Sequence, residues 1–147
     1  MSEKMRVLFV CVHNSARSQM AEEYLRKFGG DVLETESAGL EPGNINPYVI
    51  EVLREEGIDI STKQTQKVWD LYRAGNLYAY VITVYNREAE EKCPIFPGKT
   101  HRINWPFPDP SAFDGSREEI LERTREVRDL IKEMVQEFVK AYRKGEE

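Results

Sequence analysis

A cysteine and an arginine in the spacing Cys-x5-Arg bound a short polar segment near the start of the chain. Cys11 and Arg17 belong to the sequence CVHNSARS, residues 11 to 18. A cysteine thiolate is a strong nucleophile, and a guanidinium group binds two oxygens of a tetrahedral oxyanion such as phosphate or arsenate. The pair therefore predicts an enzyme in which the Cys11 thiolate attacks an oxyanion held by Arg17.

The residues after Cys11 predict a loop that binds the oxyanion through its backbone. At a turn from a strand into a helix, successive N–H groups converge on one point, and the helix N-terminus adds partial positive charge. Only the backbone of His13 is needed in this scheme, whereas the Ser18 hydroxyl is placed to hydrogen-bond the thiolate and the Asn14 side chain to brace the loop. The candidate oxyanion-binding residues are Val12, His13, Asn14, Ser15, Ala16, Arg17 and Ser18.

The flanking hydrophobic patterns supply the elements that position this loop. A buried strand is predicted at 6–10 and an amphipathic helix from Ser18 to Phe28, ended by Gly29-Gly30. Without these neighbours, a cysteine after an apolar run is usually a small core residue. Further strands are predicted at 32–37, 78–85 and 101–104, and further helices from the Asn46-Pro47 start to Gly57, over 68–73, and after the capping box Ser116/Glu119.

The final helix carries a long apolar stripe, and strands and helices alternate before it. The stripe is predicted to comprise Ile120, Thr124, Val127, Ile131, Met134, Val135, Phe138 and Tyr142. Alternation of this kind favours a parallel sheet flanked by helices, in a single domain spanning residues 1–147.

Composition narrows the class of partner and the compartment. The 147 residues carry a net charge of −5 without a basic run, which disfavours nucleic acid as a partner. The apolar run at 7–10 is too short to span a membrane, and no secretory signal is recognisable. Two cysteines do not make a disulfide scaffold in a chain of this length, so a reducing, cytoplasmic location is predicted.

Four ordered motifs give the chain a family resemblance. CVHNSARSQMAE, the SAG of residues 37–39, the KCPIFPG of residues 92–98 and the WPFPDP of residues 105–110 resemble the thioredoxin-coupled arsenate reductases, which share their fold with low-molecular-weight protein tyrosine phosphatases. The resemblance implies an α/β fold with a four-stranded parallel sheet and helices on both faces, a three-layer α/β/α arrangement. It also implies that Cys11 is the nucleophile and Asp109 the general acid. Taken alone, Asp109 would be a turn residue before proline.

Two positions separate the two branches of this superfamily. The phosphatases usually have proline two residues after the loop arginine, where this chain has Gln19. They also carry tyrosines directly after the acid Asp-Pro pair, where this chain has Ser111-Ala112-Phe113. Both differences favour the reductases.

One position departs from the reductase pattern. In that family a second cysteine ends a strand and attacks the cysteine–arsenic adduct, but here Tyr85 stands at that place. Cys93 matches the third cysteine. Resolution of the adduct then falls to Cys93 or to an external thiol from a thioredoxin or glutathione system; a third possibility is that redox function is lost, with Cys93 a packed thiol.

No metal and no bound cofactor are predicted. A monovalent-cation site of some of these reductases would use residues matching Asn14, Glu22 and Ser37, but its fourth position holds Gln66 in place of an acid. The expected partners are an arsenate or phosphate oxyanion and, as electron source, thioredoxin or glutaredoxin, with no nucleic acid and no membrane.

Three functions follow from these residues. The first is arsenate reduction, with a cysteinyl-arsenate adduct on Cys11. The alternative is a low-molecular-weight phosphatase that hydrolyses aryl phosphomonoesters by thiolate attack and leaving-group protonation. The third is a non-catalytic oxyanion- or phosphoprotein-binding module, which the presence of both Cys11 and Asp109 disfavours because binding alone needs neither.

Overall fold

A parallel four-stranded sheet forms the centre of the molecule. The computed structural model describes residues 4–86 and 92–145. The strands are β1 (Met5–Cys11), β2 (Leu33–Gly39), β3 (Tyr80–Thr83) and β4 (His101–Asn104), in the order β2-β1-β3-β4. All three neighbouring pairs are parallel, as predicted.

The helices cover both faces of this sheet. They are α1 (Arg17–Gly29), α2 (Pro47–Arg54), α3 (Val68–Arg73) and α4 (Arg117–Gly145), with one 3₁₀ turn at Pro110–Ala112. Successive β1 side chains point to opposite faces, and those of residues 7–11 are all buried, so both faces must be covered. The predicted three-layer α/β/α architecture is confirmed.

The strand order places a crevice at the carboxyl end of β1. The chain leaves β1 for its neighbour β2 on one side and later returns to β3 on the other side. Connections that diverge in this way leave an open space between the carboxyl ends of the two strands, and ligands of open α/β sheets bind there. The predicted oxyanion loop lies at this end of β1.

Several predicted boundaries need correction. The strand expected over 78–85 is regular only over Tyr80–Thr83, because β1 pairs with it only through residues 7–10 and β4 is itself four residues long. The helix expected to run to Gly57 ends at Arg54, and Gly57 adopts a positive φ of 80° in the turn that follows. The helix predicted over residues 68–73 is confirmed.

The long helix α4 confirms its predicted start and corrects its predicted stripe. Ser116 and Glu119 exchange backbone-to-side-chain hydrogen bonds of 2.8 and 3.1 Å, which is the capping box. Met134 is 39% exposed, so its assignment to the buried stripe was wrong. The inner face instead follows the i, i+4 steps of Ile131, Val135 and Val139, which lean against α1. Within the described residues, no helix is both long enough and apolar enough to cross a membrane.

Candidate active site

The backbone of the loop after β1 is oriented by hydrogen bonds to its carbonyl oxygens. The carbonyls of residues 11 to 15 each accept a hydrogen bond of 2.8 to 3.0 Å. The donors are the backbone N–H groups of Leu40, Glu41, Gly43 and Asn46 and the side-chain amide of Gln19. In a trans peptide the N–H points away from the C=O, so the N–H groups of residues 12 to 16 are turned to the opposite side. This is the orientation that an oxyanion-binding loop requires.

The thiol of Cys11 is contacted by the loop that follows it. The Asn14 backbone N–H donates to Cys11 Sγ at 3.1 Å, and the Ser18 hydroxyl lies 2.8 Å from the same sulfur. The predicted contact between Ser18 and the thiol is therefore present. Both groups stabilise a negative charge on sulfur, since each has a proton to donate.

Asn14 braces the loop as predicted, through both ends of its side chain. Its amide nitrogen donates to the hydroxyls of Ser18 at 2.8 Å and Ser37 at 3.0 Å, and its amide oxygen accepts from the Gln66 N–H at 3.0 Å. Asn14 has a positive φ of 56°, a conformation that asparagine tolerates better than most residues. The side chain thus ties the loop to β2 and to the segment before α3.

Gly39, at the end of β2, allows the loop to approach the sheet closely. A Cβ placed on Gly39 would lie 2.7 Å from the Asn14 nitrogen and 2.9 Å from the Val12 carbonyl oxygen. Both are backbone atoms, which cannot move aside as a flexible side chain would. The SAG motif therefore has two structural uses: Ser37 bonds the Asn14 side chain, and Gly39 admits the loop backbone.

Arg17 closes the loop, and backbone carbonyl oxygens of two other segments hold its guanidinium group. Its side chain is 6% exposed, and its Nη1 donates to the carbonyl oxygens of Val84 at 3.3 Å and Phe107 at 3.1 Å. Within the described residues, its buried Nε has no hydrogen-bond partner. A buried guanidinium nitrogen without an acceptor favours an oxygen ligand at this position, because burying a donor unpaired is costly.

Asp109 lies beside Arg17 and is divided between two interactions. One carboxylate oxygen, Oδ2, lies 3.4 Å from Arg17 Nη2, and the other accepts the Ser111 N–H at 3.0 Å and so caps the 3₁₀ turn. The side chain is about one-third exposed. The turn function and the proximity to the oxyanion loop are both present, and the three predicted catalytic residues are brought to one end of the sheet.

Asn46 is a connecting residue that the sequence patterns identified only as a helix cap. Its Oδ1 caps α2 by accepting the Tyr48 N–H at 2.8 Å, as predicted. In addition, its backbone N–H donates to the Ser15 carbonyl at 2.9 Å, and its Nδ2 donates to Ser111 Oγ at 3.1 Å. One residue thus joins the oxyanion loop, α2 and the turn that carries Asp109.

The ring contacts of the two histidines do not indicate a catalytic role. The His13 ring nitrogen Nδ1 lies 2.8 Å from the Glu41 carbonyl oxygen, at an exposed position. His101 stacks on the Tyr80 ring with centroids 5.3 Å apart. These placements agree with the prediction that only the backbone of His13 contributes to the loop.

Cys93 is one of the predicted sources of the second thiol, and Tyr85 stands at the position where the reductases have their second cysteine. Both cysteines are buried thiols, and Tyr85 is buried after the end of β3. Arg102 of β4 donates to the carbonyl oxygens of Pro94 at 3.1 Å and Cys93 at 3.5 Å. Residues 87–91, between Tyr85 and Cys93, lie outside the described residues.

Glu22, on α1, is a buried acid. Its cationic partner, Lys63, was not identified by the sequence patterns. Glu22 Oε1 accepts from Lys63 Nζ at 2.8 Å and from Ser37 Oγ at 2.6 Å. Burial alone would raise the pKa of Glu22, but the charge and hydrogen bond of Lys63, helped by Ser37 and Arg26, hold it below its usual range. Gln66, which stands where some of the reductases have the fourth ligand of a monovalent-cation site, donates its side-chain amide to the Ser37 carbonyl.

Comparison with known proteins gives consistent matches over most of the chain. Residues 6–147 match the family described as low molecular weight phosphotyrosine protein phosphatase. An arsenate reductase from Bacillus licheniformis is 39% identical over 138 residues, which cover 92% of this chain and 95% of that protein.

Solved structures agree with this match. A structure described as an arsenate reductase in oxidized state has a TM-score of 0.78 and 29% identity, covering 92% of this chain and 97% of that one. Another, an arsenate reductase in the phosphate binding state, has a TM-score of 0.70 and 30% identity over the same shares of the two chains.

Proposed function

The chain belongs to the low molecular weight phosphotyrosine protein phosphatase family, and we propose that within this family it reduces arsenate to arsenite. The observation that carries the proposal is the Cys11 thiol, contacted by the Asn14 N–H and the Ser18 hydroxyl, at the start of a loop that a buried arginine closes. The similarity to arsenate reductases over more than nine-tenths of both chains supports the choice of arsenate as substrate.

The first step is capture of the oxyanion and attack by the thiolate. The loop N–H groups and Arg17 bind the arsenate oxygens, with Arg17 Nε as a free donor. Cys11 sulfur forms a bond to arsenic, and one arsenic–oxygen bond breaks. Asp109 is placed to give that oxygen a proton, so that it leaves as water rather than hydroxide.

The second step transfers two electrons to arsenic. A second thiol attacks the Cys11 sulfur, the sulfur–arsenic bond breaks with its electron pair remaining on arsenic, and arsenite leaves with a disulfide on Cys11. Cys93 or an external thiol of the thioredoxin or glutathione class supplies this second sulfur. One further thiol releases Cys11 from a mixed disulfide, whereas a Cys11–Cys93 disulfide takes two external thiols or one dithiol; in both cases the external thiols end as a disulfide and the Cys11 thiolate is regenerated.

The reducing partner also bears on where the protein works. Thioredoxin, glutaredoxin and glutathione are thiol reductants of reducing compartments, and both cysteines of the chain are thiols in the structure. A cytoplasmic protein that meets its reductant there, without a bound cofactor, is the arrangement that fits this chemistry.

One observation favours a second activity, the hydrolysis of aryl phosphates. Tyr85 fills the place after β3 where the reductases have their resolving cysteine, while Cys11, Arg17 and Asp109 retain every group that phosphoester cleavage needs. In that reaction water, not a thiol, attacks the cysteinyl intermediate.

The deciding experiment is intact-protein and peptide mass spectrometry after arsenate treatment, combined with assays of arsenite release and of aryl phosphate hydrolysis. Arsenite formation that depends on added thiol and disappears in Cys11→Ser supports arsenate reduction. A Cys11–Cys93 disulfide identifies Cys93 as the resolving thiol, whereas a mixed disulfide identifies the external thiol. Aryl phosphate hydrolysis without any arsenite formation would contradict the proposal.

A further inference from the structure

A chain of hydrogen bonds runs from the Cys11 thiol to a buried ion pair on the other side of the loop. Ser18 contacts Cys11 sulfur at 2.8 Å, Asn14 Nδ2 joins Ser18 to Ser37, and Ser37 donates to Glu22. We call these five residues the thiol relay; each is less than 9% exposed. Lys63 pairs with Glu22 at the far end and has a side chain that is one-quarter exposed.

The Gln66 N–H and the ionised Glu22 carboxylate together determine which group donates in each hydrogen bond of the thiol relay. The Gln66 N–H can only donate, so it takes the Asn14 amide oxygen and turns the Asn14 nitrogen towards the two serines. An ionised Glu22 can only accept, so Ser37 must donate to it and accept from Asn14. Ser18 likewise accepts from Asn14, which leaves its single proton for the Cys11 sulfur.

The same arrangement carries an electrostatic cost. An ionised Glu22 and a Cys11 thiolate are two negative charges in one buried network, and charges interact strongly where water is excluded. Lys63 Nζ lies 2.8 Å from Glu22 Oε1 and 2.8 Å from Glu23 Oε2. Arg26 bonds the other Glu22 oxygen but is about half exposed, so Lys63 is the less solvated of the two cations.

We propose that Lys63 is a positioning residue of the active site, which neutralises Glu22 and thereby allows the thiol relay to stabilise the Cys11 thiolate. It contacts neither the substrate nor the sulfur and acts only through Glu22, Ser37, Asn14 and Ser18. The inference rests on the proposed nucleophilic role of Cys11. It adds that Lys63, a cation outside the active-site loop, balances the negative charge of Glu22.

The test is the pH dependence of Cys11 alkylation by iodoacetamide, followed by peptide mass spectrometry so that Cys11 and Cys93 are measured separately. Lys63→Met removes one of the two cations at Glu22 and makes the network more negative by one charge, so we expect half-maximal alkylation to move up by about half a pH unit. Glu22→Gln removes one of the two anions at Lys63 and makes the network more positive by one charge, and the midpoint should move down. Lys63→Arg and the double variant Glu22→Gln/Lys63→Met, both balanced in charge, should stay near wild type.

The other charged or titratable groups of the site and network stay constant in all these variants. They are His13, Arg17, Glu23, Arg26 and Asp109. Opposite shifts of the two single variants support charge balance, since a purely structural role would move both midpoints in the same direction. Unchanged midpoints in both, or shifts of the same sign, would overturn the inference. If Glu22→Gln does not fold, Lys63→Met against Lys63→Arg still decides, because Lys63 is partly exposed.

Alkylation requires no arsenate and no reductant, so this result is independent of the proposed turnover. Failure of the protein to form arsenite would overturn the proposed function and leave the pattern of midpoints intact. The converse result, arsenite formation with identical midpoints in all variants, would overturn only the role of Lys63.

Discussion

The two cysteines of the chain are held in different ways. Cys11 ends a strand that is paired on both sides, and its sulfur is met by Ser18 and by the Asn14 N–H. Cys93 follows β3 in a connecting segment outside the regular elements, where Arg102 binds its carbonyl and that of Pro94. The difference indicates that the fold itself fixes the surroundings of the proposed nucleophile, whereas the carbonyl of the proposed resolving residue is held by a side chain of β4.

The largest effect should come from weakening the grip on the oxyanion. Arg17→Lys removes the planar guanidinium group, which donates to the Val84 and Phe107 carbonyl oxygens and can bind two oxygens of the substrate. We expect kcat/KM for arsenate to fall by about 10² to 10³-fold, in the range observed for loss of one oxyanion donor. Steady-state kinetics measure this, with Arg143→Lys at a remote surface ion pair as the control. A loss below tenfold would contradict the tight binding assigned to the Cys11 region.

The close packing of the Cys11 region can be broken at a single glycine. Gly39→Ala forces a methyl group into the backbone of the loop, and we expect about 2 to 3 kcal/mol of destabilisation and a large loss of activity. Gly43→Ala is the matched control: its Cβ would meet only His13 Cβ, at 3.7 Å. Chemical denaturation of both variants makes the comparison, and equal stability would refute the close approach.

The Cys93 region should respond to the loss of one side chain. Arg102→Met removes the guanidinium that bonds the Cys93 and Pro94 carbonyls, and two such bonds are worth about 1 to 2 kcal/mol. We expect Cys93 to be alkylated about tenfold faster, with the rate at Cys11 little changed. Peptide mass spectrometry reports both sites in one sample. A rise at both cysteines alike would mean that the fold loosens as a whole.

Asn46 separates stability from positioning. Asn46→Ala should cost about 1 kcal/mol through the lost cap of α2 and should also lower activity, because the bond to Ser111 beside Asp109 is lost. Asn46→Asp keeps the capping oxygen but not the donor, so we expect activity to fall while stability is largely retained. Ser116→Ala, which removes the cap of α4 but leaves the bond between Asn46 and Ser111 in place, should cost stability alone. Thermal denaturation and arsenate kinetics distinguish these outcomes.

The smallest effect concerns pH. The folded-state pKa of Glu22 lies below the ordinary value of 4.5, so ionised Glu22 stabilises the fold above about pH 4.5. This contribution is lost as pH falls through the lower folded-state value. We therefore expect the difference in unfolding free energy between wild type and Glu22→Gln to be constant near neutrality and to shrink below about pH 4.5. A difference independent of pH would contradict the ionised state assigned to Glu22.

The elements around the active site were predictable where one local pattern decides them. The run before Cys11, the Asn46-Pro47 start and the Ser116/Glu119 box all form what their sequences predict, because caps and short-range periodicity act within one turn. Boundaries set by partners were not predictable. β3 is shorter than its β-forming sequence because its neighbours pair with it over only four residues. Met134 is exposed because the buried face of α4 runs through Ile131, Val135 and Val139 instead.

The chemistry divides along the same line. Residue types and spacing by themselves determined the loop and were enough to predict Cys11 as the nucleophile and Arg17 as the oxyanion ligand, since Cys11 to Ser18 are contiguous and the physics of a strand-to-helix turn is local. Asp109 needed the resemblance to a family, because an Asp-Pro pair alone is a turn signal. Only the tertiary structure joined Lys63 to Glu22, Asn46 to Ser111 and Gly39 to the loop backbone. Those contacts join segments far apart in the chain, and no periodicity in the sequence encodes which distant groups will meet.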